Sequence, residues 1–197
     1  MIRQNFEIIG ITGLKGSGKS TVAKYLAEKQ GYIQLSFASV LKDMVSISFD
    51  WPRELLEGET VESRIWRETV DEWWSERLNI PNLTPRYVLQ YWGTEVIREH
   101  FHQEFWIASL EKRMLKLIKE NAKIVISDCR FENEFELIRK YNGKIIKLIR
   151  TMKGDSILDN NVNIDQHASE KDHEIHDAIK IENNGTLDEL EFKLTKV

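Results

Sequence analysis

Lys19 and Ser20 close the stretch Gly13-Leu14-Lys15-Gly16-Ser17-Gly18-Lys19-Ser20, which fits G-x-x-x-x-G-K-[ST] at every fixed position. Such a loop gathers backbone N–H groups around a polyphosphate, and its glycines keep any Cβ out of the way. Lys19 can reach the β- and γ-phosphates of a nucleoside triphosphate, while the Ser20 hydroxyl can hold Mg²⁺. Gly13, Lys15, Gly16, Ser17, Gly18, Lys19, Ser20 and Thr21 are therefore the candidate ATP contacts. The pattern carries this meaning only between a strand and a helix. Here an apolar run, Phe6 to Ile11, precedes it and a helical stretch, Thr21 to Lys29, follows it. The partial positive charge of that helix N-terminus adds to the loop amides.

A second constellation is Asp128-Cys129-Arg130, which follows the apolar run Ile124-Val125-Ile126. A carboxylate at the end of a central strand can orient Mg²⁺, and Arg130 two residues on can bridge a transferring phosphoryl group. Arg150 also ends a strand pattern, Lys144 to Ile149, and is a further candidate clamp on the phosphates. Lys42, Arg53, Arg64, Arg67, Arg86 and Arg98 spread through the middle of the chain. Arginine suits a phosphorylated acceptor because its guanidinium binds phosphate as a two-pronged fork.

The elements that must position these groups alternate between strand and helix patterns. Tyr32 to Ser36 reads as a short strand after Gly31. Phe37 to Phe49 has helical apolar spacing. Residues 50–83 are polar and rich in tryptophan and read as a helical insertion. Thr84-Pro85 is a helix start, with Thr at the cap and Pro in the first turn, and that helix is expected to run to about His100. Further helices are expected near 103–121, 131–141 and 186–196, and a last strand over 176–182. Such alternation implies a parallel sheet covered on both faces, whose ligands bind beyond the carboxyl ends of the strands. The candidate loop, Asp128 and the Asn183-Asn184-Gly185 turn all fall at such ends.

The chain has 197 residues and a net charge of -4, which fits a single α/β domain and argues against broad nucleic-acid affinity. Cys129 is the only cysteine, so no disulfide within the chain is expected. With no apolar run of membrane-spanning length and no leader-like start, the reading is a cytoplasmic protein with no membrane partner.

Several blocks together resemble a family. They are Ser36-Phe37-Ala38 with Leu41-Lys42, Thr84-Pro85-Arg86 with Leu89-Gln90, and Gly93-Thr94-Glu95 with Arg98 and Trp106. Ser127-Asp128-Cys129-Arg130-Phe131-Glu132-Asn133-Glu134 belongs with them, as do His167-Ala168-Ser169-Glu170, Asp177 and Asn184-Gly185-Thr186 with Leu190. The chain resembles, from Ile8 to Leu194, the deoxynucleoside monophosphate kinases of tailed bacteriophages.

The resemblance implies the P-loop NTPase fold of nucleoside monophosphate kinases. That fold has a five-stranded parallel sheet flanked by helices, a helical acceptor-binding insertion (50–83) and a lid (151–172). It implies Mg-ATP as donor, a deoxynucleoside monophosphate as small-molecule acceptor, and a homodimer as a common assembly. Lys42, Arg64, Arg86 and Arg98 then become acceptor-phosphate candidates, and Gln90 and Glu95 readers of base or ribose. Trp92 either stacks on the base or packs in the core. Asn184 and Gly185 would pass the donor base. A dephospho-coenzyme A kinase, another small-metabolite kinase and an ATP-dependent switch are the rival readings. Residues 50–83 diverge most from the family pattern, which leaves base preference open.

Overall fold

The computed structural model describes residues 6–14, 16–150 and 175–196. In chain order the elements begin with β1 (Glu7–Thr12), α1 (Lys19–Gln30), β2 (Tyr32–Leu35) and α2 (Ala38–Phe49). Next come α3 (Val61–Glu68), α4 (Glu72–Leu78), α5 (Pro85–Tyr91), a π-helix (Trp92–Glu99) and α6 (Phe105–Lys119). The chain ends with β3 (Lys123–Ile126), α7 (Glu132–Lys140), β4 (Lys144–Ile149), β5 (Ile179–Glu182) and α8 (Leu187–Leu194). Two compact units result: Met1–Ser36 with Leu110–Val197, and Phe37–Ser109. The lid expected over 151–172 lies outside the described residues, as does Lys15.

In the first unit the apolar run of β1 is buried on both faces, as a central parallel strand requires. The five strands form one sheet in the order β2-β3-β1-β4-β5. Every pairing is parallel, and Gly10 sits opposite Ile126 on one side and Ile145 on the other. The carboxyl ends of all five strands therefore lie along one edge. Val22, Ala23 and Leu26 of α1 pack with Ile9, Ile11, Val125, Ile146 and Leu148 in one buried cluster. Gly31, in the left-handed region, ends α1 by donating its N–H to the Leu26 carbonyl. This five-stranded parallel sheet, with the glycine loop between β1 and α1, is the P-loop kinase fold that the resemblance implied. The last strand begins later than expected because 175–178 forms a turn. There Arg139 of α7 grips Asp177 through Nε and a terminal nitrogen, both at 2.7 Å.

The second unit is helical and aromatic. Phe49 stacks on Trp51 at 4.5 Å and meets Trp74 and Trp92 at an angle. The indoles of buried Trp51 and half-buried Trp74 keep their N–H groups satisfied: Trp51 donates to Asp71 and Trp74 to the Phe49 carbonyl. Thr84 caps α5 by accepting from the Tyr87 N–H, and Pro85 sits in the first turn, as the sequence predicts. The helix expected to run on to His100 instead widens into the π-helix after Tyr91. Trp106 Nε1 takes the Gly93 carbonyl at 2.8 Å, competing with the helical ladder, and His100 and His102 donate five residues back. The insertion expected over 50–83 lies within this unit, whose bounds are wider. Among the described residues no helix is long and apolar enough to cross a membrane.

Leu26 is 1% exposed where α1 meets the sheet. Leu26→Ala is expected to cost about 2–5 kcal/mol, seen as a lower urea midpoint with an unchanged slope.

Candidate functional site

The turn from β1 into α1 needs glycine at two places. Gly13 has φ +137, and a Cβ there would lie 2.5 Å from the Leu148 carbonyl oxygen. Gly18, which precedes the first helical residue, has φ +103, and a Cβ there would collide with the Asn183 amide. Between them Ser17 donates its N–H to the Leu14 carbonyl at 3.1 Å. Its hydroxyl is buried with no hydrogen-bond partner among the described residues. Ser20 and Thr21 are exposed on the first turn of α1.

Lys19 curls back over this loop. Its Nζ donates to the carbonyls of Gly13 at 2.6 Å and Leu14 at 2.8 Å, engaging two of an ammonium's three donors. Burial pushes this ammonium down to about 8, Arg130 adds repulsion, and the Asp128 carboxylate opposes both. These three charges therefore share one neighbourhood.

Sheet pairing explains why. Beyond β3, the Cys129 N–H donates to the Ile11 carbonyl of β1 at 3.1 Å, which sets Asp128 beside the end of the central strand. From the end of β2, Ser36 Oγ donates to Asp128 Oδ2 at 2.7 Å. The turn itself is fastened by Glu134, 3% exposed, whose Oε2 accepts from the N–H groups of Arg130 at 2.6 Å and Phe131 at 3.1 Å. Cys129 is buried beneath it, and burial raises its thiol well above the usual range.

Two more groups close on the loop from the ends of β4 and β5. Arg150 reaches the Gly16 carbonyl at 3.4 Å, and Asn183 Nδ2 donates to the Ser17 carbonyl at 2.9 Å. The predicted Asn184 and Gly185 follow directly, both exposed. The described part of the predicted donor set thus gathers at one sheet edge. Ser36, Glu134 and Asn183 were missed as site residues. For Asn183 the one signal was its place beside Asn184; Ser36 and Glu134 stood inside the family-like blocks without a chemical role of their own.

The predicted acceptor residues all lie in the second unit. Lys42 on α2 pairs with Glu57 at 2.5 Å, and Glu57 also binds Arg53, which holds Asp43 at 2.6 Å. Arg86 on α5 pairs with Glu68 at 3.1 Å. Arg64 on α3 is exposed and donates to the Thr60 carbonyl. Gln90, Glu95 and Arg98 are half-buried, and Trp92 meets Phe49 edge-on at 5.4 Å. Among all these, Glu57 and Glu68 were not foreseen.

A family model described as deoxynucleotide monophosphate kinase matches residues 57–194. A protein of Acanthamoeba polyphaga mimivirus, named as a deoxynucleotide monophosphate kinase, is 34% identical over 157 residues. The match takes in 73% of this chain and 74% of that protein. The deoxynucleoside-5'-monophosphate kinase of Escherichia phage T5 is 42% identical over 60 residues, 30% of this chain and 23% of that one. A dephospho-CoA kinase from Campylobacter jejuni overlays with a TM-score of 0.48 and 17% identity, over 97% of this chain and 94% of that one. So loose an overlay carries no weight in choosing an acceptor.

Lys19 also makes a titration prediction. Its folded value of about 8 lies below the ordinary 10.5, so between the two the unfolded chain holds a proton that the folded chain has lost. Through this group stability rises with pH across that window. A polyanion beside the ammonium restores the proton. At about pH 9, nucleotide binding is expected to take up on the order of one proton, measured by calorimetry in two buffers of different ionisation heat.

Proposed function

The chain belongs to the deoxynucleotide monophosphate kinase family, and on that premise we propose that it transfers the γ-phosphoryl group of Mg-ATP to a 2'-deoxynucleoside 5'-monophosphate. The observation that carries this reading is Lys19, folded over its own loop carbonyls beside Asp128 and Arg130. It is an arrangement suited to charge on a polyphosphate.

In this reading an oxygen of the acceptor phosphate attacks the γ-phosphorus of ATP, the bond to the bridging oxygen breaks, and ADP leaves with that oxygen's charge. The acceptor phosphate is already largely ionised near neutral pH, so no general base is required. Alignment and charge neutralisation do the rest. The loop amides and Lys15 to Thr21 take the donor phosphates, and Asn184 and Gly185 take the donor base. Lys19 neutralises charge that moves from the γ- to the β-oxygens, and Arg130 and Arg150 clamp the group in flight.

Ser20 and Asp128 offer only oxygen, which suits a hard cation. When bound with the nucleotide, Mg²⁺ would supply charge neutralisation on the phosphate oxygens. Ser36 holds the Asp128 carboxylate ready for that role.

On the acceptor side, the second unit contributes Lys42, Arg64, Arg86 and Arg98 for the phosphate, and Gln90, Trp92 and Glu95 for the nucleoside. Lys42 and Arg86 are held by Glu57 and Glu68. In this reading the acceptor phosphate takes over cations that carboxylates keep in place.

A coupled assay of ADP release across deoxy- and ribonucleoside monophosphates of each common base tests the reading. Turnover is expected with deoxynucleotides, and ATP hydrolysis indifferent to every acceptor would refute it. Arg86→Ala is expected to raise the acceptor KM about tenfold with the ATP KM unchanged. A change confined to ATP would place Arg86 on the other substrate.

A further inference from the structure

Asn183 is the residue just past β5, and its backbone and side chain point it at the glycine loop. Its N–H donates to the Ile149 carbonyl at 2.8 Å, which extends by one step a ladder in which Ile149 already faces Glu182. With its backbone fixed on the sheet, the side chain reaches across 166 positions of sequence to the Ser17 carbonyl at 2.9 Å. Arg150 approaches the neighbouring Gly16 carbonyl at 3.4 Å, longer than an ordinary hydrogen bond. Asn183 is therefore the firmer of the two grips.

The consequence follows from peptide geometry. In a planar trans peptide the C=O and N–H point in opposite directions, and the described chain has no cis peptide bond. Tying the Ser17 oxygen towards β5 turns the N–H of the same peptide, that of Gly18, to the opposite face. Gly18 lies so close under Asn183 that a Cβ would strike the amide nitrogen, and its φ of +103 is one that side chains rarely adopt. The contact is thus built from both sides.

We propose that Asn183 is a positioning residue, which orients the Ser17–Gly18 peptide so that the Gly18 N–H points at the donor's phosphates. The proposal rests on the reading that this loop holds ATP, and it gives Asn183 a role separate from contact with the base.

The test uses the full chain and two probes, ADP and inorganic tripolyphosphate, which has phosphates but no base. Asn183→Asp replaces the donating amide with an oxygen that faces the Ser17 carbonyl, and Asn183→Ala removes the grip without adding charge. Both are expected to weaken both probes, by about tenfold for Asn183→Asp and about threefold for Asn183→Ala. The acceptor KM stays unchanged, and so does the far-ultraviolet circular dichroism. Weaker ADP binding with tripolyphosphate unaffected would make Asn183 a base contact and overturn the proposal. A lower unfolding midpoint with both affinities intact would reduce it to a fastener of β5 and overturn it equally. If Lys19→Ala loses tripolyphosphate while both Asn183 variants keep it, the proposal fails and the donor reading stands. Failure of the unmodified chain to bind either probe removes both.

Discussion

Parallel pairing puts the carboxyl ends of five strands on one edge, and the chemistry at that edge is a list of what the chain does next. After β1 it turns through glycines into α1. After β3 it turns through Asp128 under the control of Glu134. After β4 and β5 it presents Arg150 and Asn183 to the first of these turns. No one of these segments contains a site. The strand order brings them together, and the link from Cys129 N–H to the Ile11 carbonyl ties the second turn to the first. The result sets Lys19 and Arg130 beside Asp128, with the lysine ammonium half out of water. Burial makes that ammonium's proton easy to lose, and a bound polyanion makes it hard to lose. In the proposed reading, affinity for negative charge and the instability of the lysine proton are two sides of one electrostatic arrangement.

The second unit solves a different problem. Its core sets Phe49, Trp51 and Trp106 among Leu41, Val45, Leu56, Leu83 and Val88, and indoles bury much area but bring polar N–H groups with them. Asp71, the Phe49 carbonyl and the Gly93 carbonyl accept those of Trp51, Trp74 and Trp106. Its cations are likewise provided for. Lys42 and Arg53 share Glu57, and Arg86 has Glu68. Carboxylates of this kind hold long side chains in one place, so less ordering is left to a ligand that takes them over.

Much of this was legible in the sequence, for reasons that differ by residue. Gly13 and Gly18 were readable because a loop whose backbone takes φ of +137 and +103 disfavours a side chain wherever it occurs. Thr84-Pro85 was readable because capping is local. The Asp128 turn was readable because an apolar run announced its strand. Asn183 was not distinguishable from Asn184, since only the position of β5 in the sheet decides which of two neighbouring amides meets Ser17. The carboxylate partners Glu57 and Glu68 were lost among 32 acidic residues, because charge spacing says nothing about which helix a side chain crosses to. The helix from Thr84 was over-extended for a similar reason. The group that disturbs it, the Trp106 indole, comes 13 residues after Gly93.

That disturbance sets the face shown by everything after it. In an ordinary helix each residue advances the azimuth by about 100°. The wider coil from Trp92 to Glu99 spends more residues per revolution, so Glu95 and Arg98 stand at bearings that α-helical counting would misassign. A chain one residue shorter here that relaxed to the tighter coil would turn further at each of fewer residues, so the two changes largely offset and the side chains beyond the deletion would keep nearly the same bearing. Among related proteins, then, a single-residue gap in this stretch could be absorbed by exchanging one coil for the other, which would leave the residues beyond it facing as they do here.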